Sequence, residues 1–268
     1  EEANLRFGSP TPGIFEIKMH FPTRKNMFTI DAQQKMPSLL RQADADPEVK
    51  CILVHGGEYF SSGIDLISLL KHSMGDREEF KKYADFALNK SVNDLVCAIM
   101  DTKKPLVAVV RGQCFGITCT MLSYFDFIYC SEEATFHTPF MKTGQSPEGG
   151  SSIMFPQLIG RRKAAEMLMM DTVLNAKEAL KLGFVNGIIK QFPSQDGNFS
   201  YVPCIPQLLN SDLQTVMNSK KLINSARDND RIKAVVKEEL RTLYNLWIGE
   251  KFGVNLKKML DAMKAAKQ

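Results

Sequence analysis

The sequence has no Cys-x-x-Cys pair, no run of basic residues, no internal repeat and no low-complexity tract. Nothing in it approaches the roughly 18 consecutive apolar residues needed to span a bilayer, so membrane insertion is not expected. Without paired cysteines a structural zinc site has no ligands of the usual spacing. The six cysteines, at 51, 97, 114, 119, 130 and 204, sit mostly inside apolar runs such as Cys51-Ile-Leu-Val54. They read as small core residues of a chain kept in a reducing compartment. Net charge is only +4, from 34 Lys and Arg against 30 Asp and Glu. That suits an anionic ligand and is too small to point to nucleic acid. The apolar and charged fractions, 44% and 24%, are those of an ordinary globular protein. The chain opens at Glu1 with no Met, which leaves room for a preceding targeting segment or domain, and ends Ala266-Lys267-Gln268, unlike a Ser-Lys-Leu peroxisomal address.

What is present is an alternation of short apolar runs with helical patterns. Ile14–Phe21, Cys51–Val54, Pro105–Val110, Phe127–Cys130 and Phe184–Ile189 read as strands. The unbroken apolar run at 105–110 belongs in a sheet covered on both faces. Helices are expected over 29–45, where Pro37 imposes a kink or a late start, from about Asp65, over 77–101, over Ile117–Tyr124, and in two stretches after 150. Residues 191–205 are loop-like, and nearly everything after Gln207 is helical. Together these give an α/β core over residues 1–205 and a helical region over 206–268.

Three constellations carry candidate chemistry. Phe60-Ser-Ser-Gly-Ile-Asp-Leu66 and Arg111-Gly-Gln-Cys-Phe-Gly-Ile117 are both strand, glycine turn and helix start. Each alone is a common turn. Facing each other, they would aim two unpaired backbone N–H groups at one oxygen, an arrangement suited to a carbonyl that gains negative charge. The third is Gln145-Ser-Pro-Glu-Gly-Gly150, which sets Glu148 among Phe140, Met141, Ile153, Met154 and Phe155. A carboxyl in apolar surroundings has a raised pKa and serves as a base near neutrality. Glu148 equally fits a first-turn helix residue, and the local residues by themselves favour that reading. Asp65 reads as a helix cap. His55 and His137 have no partner at triad or metal spacing, and Ser61, Ser62, Ser151 and Ser152 have no adjacent base.

Phe60–Leu66, Val110–Gly116, Gly144–Gly150 and Ala176-Lys-Glu-Ala-Leu-Lys-Leu-Gly-Phe-Val-Asn186 stand in the order and approximate spacing of the crotonase, or enoyl-CoA hydratase/isomerase, superfamily, which the sequence resembles over about residues 12–247. The resemblance implies the ClpP/crotonase fold, a spiral of ββα units with a helical C-terminal trimerisation region, and a homotrimer or hexamer. It implies an acyl-CoA substrate, no cofactor beyond the coenzyme A of that substrate, and no metal. Carried over, the oxyanion-hole donors are the N–H groups of Ile64 and Ile117. Ser61, Ser62, Gly63, Asp65 and Leu66 would line the coenzyme A, with Gly116 and Phe140 as further substrate contacts. Lys and Arg of the C-terminal helices are candidates for its phosphates, with no single one assigned.

Departures from the family select the reaction that the resemblance implies. Thr120 and Phe140 stand where hydratases carry their two catalytic glutamates, and dienoyl-CoA isomerases also need a Glu at the Phe140 position. Gly144–Gly149 matches the Gly-Gln-Ser-Pro-Glu-Gly run of peroxisomal-type Δ3,Δ2-enoyl-CoA isomerases, in which the Glu, here Glu148, is the catalytic acid/base. The resemblance therefore implies an isomerase of unsaturated fatty-acid β-oxidation, in peroxisome or mitochondrion. Two alternatives remain at this level: a non-catalytic crotonase-like module that binds coenzyme A or a protein, as in chromodomain Y-like corepressors, and another acyl-CoA reaction such as thioester hydrolysis.

Overall fold

A computed structural model describes residues 4–192 and 198–265. Its centre is a six-stranded sheet in the order β1 (Leu5–Thr11), β2 (Ile14–Met19), β3 (Cys51–His55), β4 (Leu106–Val110), β6 (Phe127–Cys130), β9 (Gly187–Ile188). Only β1 and β2 pair antiparallel, and every other neighbour in this sheet is parallel. A second sheet joins β5 (Gln113–Phe115), β7 (Thr135–His137) and β8 (Leu174–Asn175). Parallel strands need crossovers, and the helices between them supply these.

β3 and β4 are buried at every position, because both faces of the sheet are covered. Ile52, Val54, Leu106, Ala108 and Val110 point into the main core. The alternate residues Cys51, Leu53, Val107 and Val109 pack on Phe199, Val202, Ile205 and Leu208. The segment expected as a loop over 191–205 therefore covers one face of the sheet over its later part, and Cys204 opens a helix to Asn210; residues 193–197 of it lie outside the described residues. Ile232, Val236, Leu240, Leu243, Trp247, Phe252 and Leu256 of the C-terminal helices join the main core.

Several expectations are corrected. The strand expected to Phe21 ends at Met19, and β1 precedes it across a turn at Gly13 (φ +83°). The helix expected from about Asp65 is borne out, running Leu66–Ser73 behind the Asp65 cap. The Ile30–Ala45 helix passes through Pro37 and starts well before it, capped by Thr29, whose Oγ1 accepts the Ala32 N–H at 3.2 Å. Phe184–Ile189 forms only a two-residue strand. Phe184 instead packs edge-on to Phe136 and Phe155, at ring distances of 5.2 and 5.5 Å. The stretch over 77–101 is helical throughout but widens to a π-helical segment at Phe86–Val92. Such widenings recur at functional sites, and this one forms part of a cavity wall.

Candidate active site

The first two motif turns are joined by backbone pairing. The Ser61 N–H donates to Gln113 O at 2.8 Å, and the Phe115 N–H donates to Ser61 O at 3.1 Å, forming a parallel bridge to β5. This brings Gly63–Ile64 alongside Phe115–Ile117: a Cβ on Gly63 would lie 3.1 Å from Phe115 O. Gly63 (φ +84°) and Gly116 (φ +58°) occupy backbone regions that glycine alone enters without strain. The Gly63 carbonyl accepts the Phe28 N–H and Gly116 donates to His137 O, so both turns are held from outside. Among the described residues, the N–H groups of Ile64 and Ile117 donate to no acceptor. For Ile117 the cause is plain, since it is the first residue of the helix Ile117–Thr120.

Both isoleucines line a cavity of about 460 Å³ together with Ser62, Gly63, Asp65, Leu66, Gly116, Phe140 and Glu148. Leu69, Tyr83, Phe86, Ala87, Leu88, Val92, Leu243 and Trp247 make much of the remaining wall apolar. Ser61 does not join them. It is fully buried, and its hydroxyl accepts the Gly63 N–H at 3.1 Å, shaping the turn from behind. Ser62 lines the cavity, and its hydroxyl donates to Arg24 O. Asp65 caps the following helix through the Ile67 and Ser68 N–H groups. His137 bonds Asp171 O at 3.0 Å and His55 bonds Glu16 at 2.6 Å, so each is spent on a partner other than Glu148.

Glu148 is buried, and its Oε1 accepts the Thr120 hydroxyl at 3.1 Å while Oε2 has no hydrogen-bond partner. Burial pushes its pKa up to about 8, the neighbouring charge of Glu239 adds to the rise, and the Thr120 bond partly opposes it. The carboxyl is thus a far stronger base than an exposed glutamate. Its side chain does not cap the helix Ser151–Ile159 that follows, whose leading residue Gly150 offers no cap of its own. Glu239 does so from the helix Asn229–Trp247: Oε2 accepts the Gly150 N–H at 2.7 Å and Oε1 the Ser152 N–H at 2.9 Å. The helix-start role that competes for Glu148 in the sequence is filled by another residue. Glu239 was missed, although a signal exists: it lies on the helix face defined by Ile232, Val236, Leu243 and Trp247, where an acidic residue is out of place.

A buried carboxylate with a free oxygen, beside two unpaired N–H donors in one largely apolar cavity, can move a proton on a substrate whose carbonyl is held by those donors. No group of three or more His, Cys, Asp or Glu among the described residues could hold a metal ion, and no described helix is long and apolar enough to cross a membrane.

A family model described as Enoyl-CoA hydratase/isomerase matches residues 10–258. The chain is 36% identical over 238 residues to enoyl-CoA delta isomerase 2 of Rattus norvegicus, covering 89% of this chain and 59% of that protein. It is 31% identical over 166 residues to testis-specific chromodomain protein Y 2 of Homo sapiens, covering 62% of this chain and 30% of that one. It thus spans less than two thirds of either relative. In three dimensions it is similar to an enoyl-CoA hydratase from Bacillus halodurans, with a TM-score of 0.83 at 21% identity over 95% of this chain and 99% of the other. With its paired glycine turns, parallel β core and helical C-terminal region, the chain belongs to the enoyl-CoA hydratase/isomerase family.

Proposed function

We propose that the chain is a Δ3,Δ2-enoyl-CoA isomerase, converting 3-cis- or 3-trans-enoyl-CoA to the 2-trans isomer. The observation that carries this reading is Glu148, buried with its Oε2 unpaired in the cavity that Ile64 and Ile117 also line. The C2 hydrogens of a 3-enoyl thioester lie between the carbonyl and the alkene, so loss of one gives an extended dienolate. The Glu148 carboxylate takes that proton, the electron pair spreads to the thioester oxygen, and the same carboxyl returns a proton at C4. The atoms balance with no water and no further cofactor. The N–H groups of Ile64 and Ile117 stabilise the enolate oxygen, each worth about 3–4 kcal/mol.

Hydration needs a second acid/base. Thr120 and Phe140 occupy the positions where the family resemblance expects carboxylates; Thr120 is a donor to Glu148, and Phe140 is buried apolar wall. Enoyl-CoA delta isomerase 2, matched along most of this chain, supports the same choice. The helical region 206–268 would carry the contacts of a homotrimer or hexamer. We infer the peroxisome, ahead of the mitochondrion, as its compartment, a reading supported by the resemblance to peroxisomal-type isomerases.

The test offers 3-cis- and 3-trans-enoyl-CoA and follows the ultraviolet absorbance of the conjugated thioester, with Glu148→Gln beside the wild type. Turnover by the wild type and its loss in the variant are expected. An inactive wild type that still binds coenzyme A would favour a non-catalytic crotonase-like binding module. Full activity in Glu148→Gln would remove Glu148 as the base, and release of free thiol would mark a thioesterase.

A further inference from the structure

The motif Ser146-Pro-Glu-Gly-Gly150 is a flexible place for a base. Gly149 and Gly150 both have positive φ, at +67° and +78°, and glycine loses more conformational freedom on ordering than any other residue. A base that must reach two carbons of one substrate needs this segment held to a fraction of an ångström, since misplacement by about 1 Å can cost about a hundredfold in rate.

Three side chains from outside the segment hold it. Thr120 binds the Glu148 carboxylate, the Tyr124 hydroxyl donates to Gly149 O at 2.9 Å, and Glu239 takes the Gly150 and Ser152 N–H groups. Of these only Glu239 is acidic; burial pushes its own pKa up, while the Ser152 and Gly150 N–H bonds favour its ionised form. An anion at the start of the Ser151–Ile159 helix is favoured by the helix dipole. The same anion beside a second buried carboxylate makes ionisation of that carboxylate harder. The groups packed around the pair are the Thr120 hydroxyl, the Tyr124 phenol, the Cys97 thiol near that phenol, and Arg227, whose guanidinium lies over the Tyr124 ring at 5.6 Å. Arg227 faces Tyr124, and the charge that bears on Glu148 is that of Glu239.

We infer that Glu239 is the positioning residue of this site: it clamps the Glu148 segment through the Gly150 and Ser152 N–H groups and so sets a second buried carboxyl beside the base. This rests on the isomerase reading, in which Glu148 is the base. Leu243 and Trp247, on the same helix and one and two turns further along, line the cavity. One helix therefore fixes the base and forms part of the wall around the substrate.

Glu239→Gln keeps shape and loses charge, while Glu239→Asp keeps charge and loses reach. In Glu239→Gln the acid limb of the kcat/KM profile should move about one pH unit toward acid, with kcat at the optimum down about tenfold and KM within twofold. In Glu239→Asp kcat should fall similarly with the limb unmoved. A packing role alone would lower the amount of folded protein and leave the limb in place. An unmoved limb in folded Glu239→Gln therefore overturns the proposal. Should the variants not fold, amide exchange of Gly150 and Ser152 in the wild-type chain decides: strong protection is expected, and fast exchange at both overturns the clamp. If Glu148→Gln also keeps full activity, the isomerase reading has failed rather than the role of Glu239 alone.

Discussion

The raised pKa of Glu148 makes the pH dependence of activity the most direct measurement on this site. With the carboxyl at about 8, roughly one molecule in ten carries the active carboxylate at pH 7 and roughly nine in ten at pH 9, so kcat/KM should rise nearly tenfold across that interval. A glutamate at its ordinary value would give a flat profile over the same range. Stability should move the other way. The native state holds the Glu148 proton more tightly than the unfolded chain, so the stabilisation is complete below about 4.5 and is lost as pH rises through 8. A displacement from 4.5 to about 8 corresponds to about 5 kcal/mol. Urea unfolding of wild type and Glu148→Gln, at pH 5 and pH 9, reads the difference. The wild type should lose several kcal/mol relative to the variant on going to pH 9. A flat kcat/KM profile from pH 6 to 9, with equal pH dependence of stability in the two proteins, would refute the claim that burial sets this carboxyl.

Three substitutions test other parts of the site. Ile117→Pro removes one N–H at a first helical position, where proline is tolerated; kcat should fall about 10²- to 10³-fold while circular dichroism stays that of the wild type. Gly149→Ala forces a side chain onto Thr120 at a positive φ; it should cost about 1–3 kcal/mol in thermal or urea unfolding and remove most of the turnover. Asp65→Ala deletes the cap of the Leu66–Ser73 helix and should cost about 1 kcal/mol, with turnover reduced far less than in Glu148→Gln.

Local pattern settled a good part of the protein in advance. The apolar runs at 51–54, 105–110 and 127–130 are strands because short β-rich segments bounded by turn residues need no distant partner to declare themselves. Asp65 caps a helix for the same reason: its acceptor and its donors lie within three residues. Gly63 and Gly116 mark the turns whose backbone only glycine suits. The alternation of such elements, with the helical tail, was enough for the α/β class, and the motif order for the family.

Tertiary structure decided what depends on residues far apart in the chain. Ser61 was read as a substrate contact; it is fully buried, lies outside the cavity lining, and its hydroxyl accepts the Gly63 N–H. The strand expected at 184–189 is mostly core packing, since β6 offers it only two residues of pairing. Glu148 is the clearest case. Its own neighbours in sequence left it a helix-start residue, and nothing local could change that. It is released from that duty by Glu239, 89 residues beyond Gly150, and its basicity comes from burial and from that same distant carboxylate. Sequence named the residue, while its protonation depends on solvent exclusion and charge proximity, which arise only when the chain is folded.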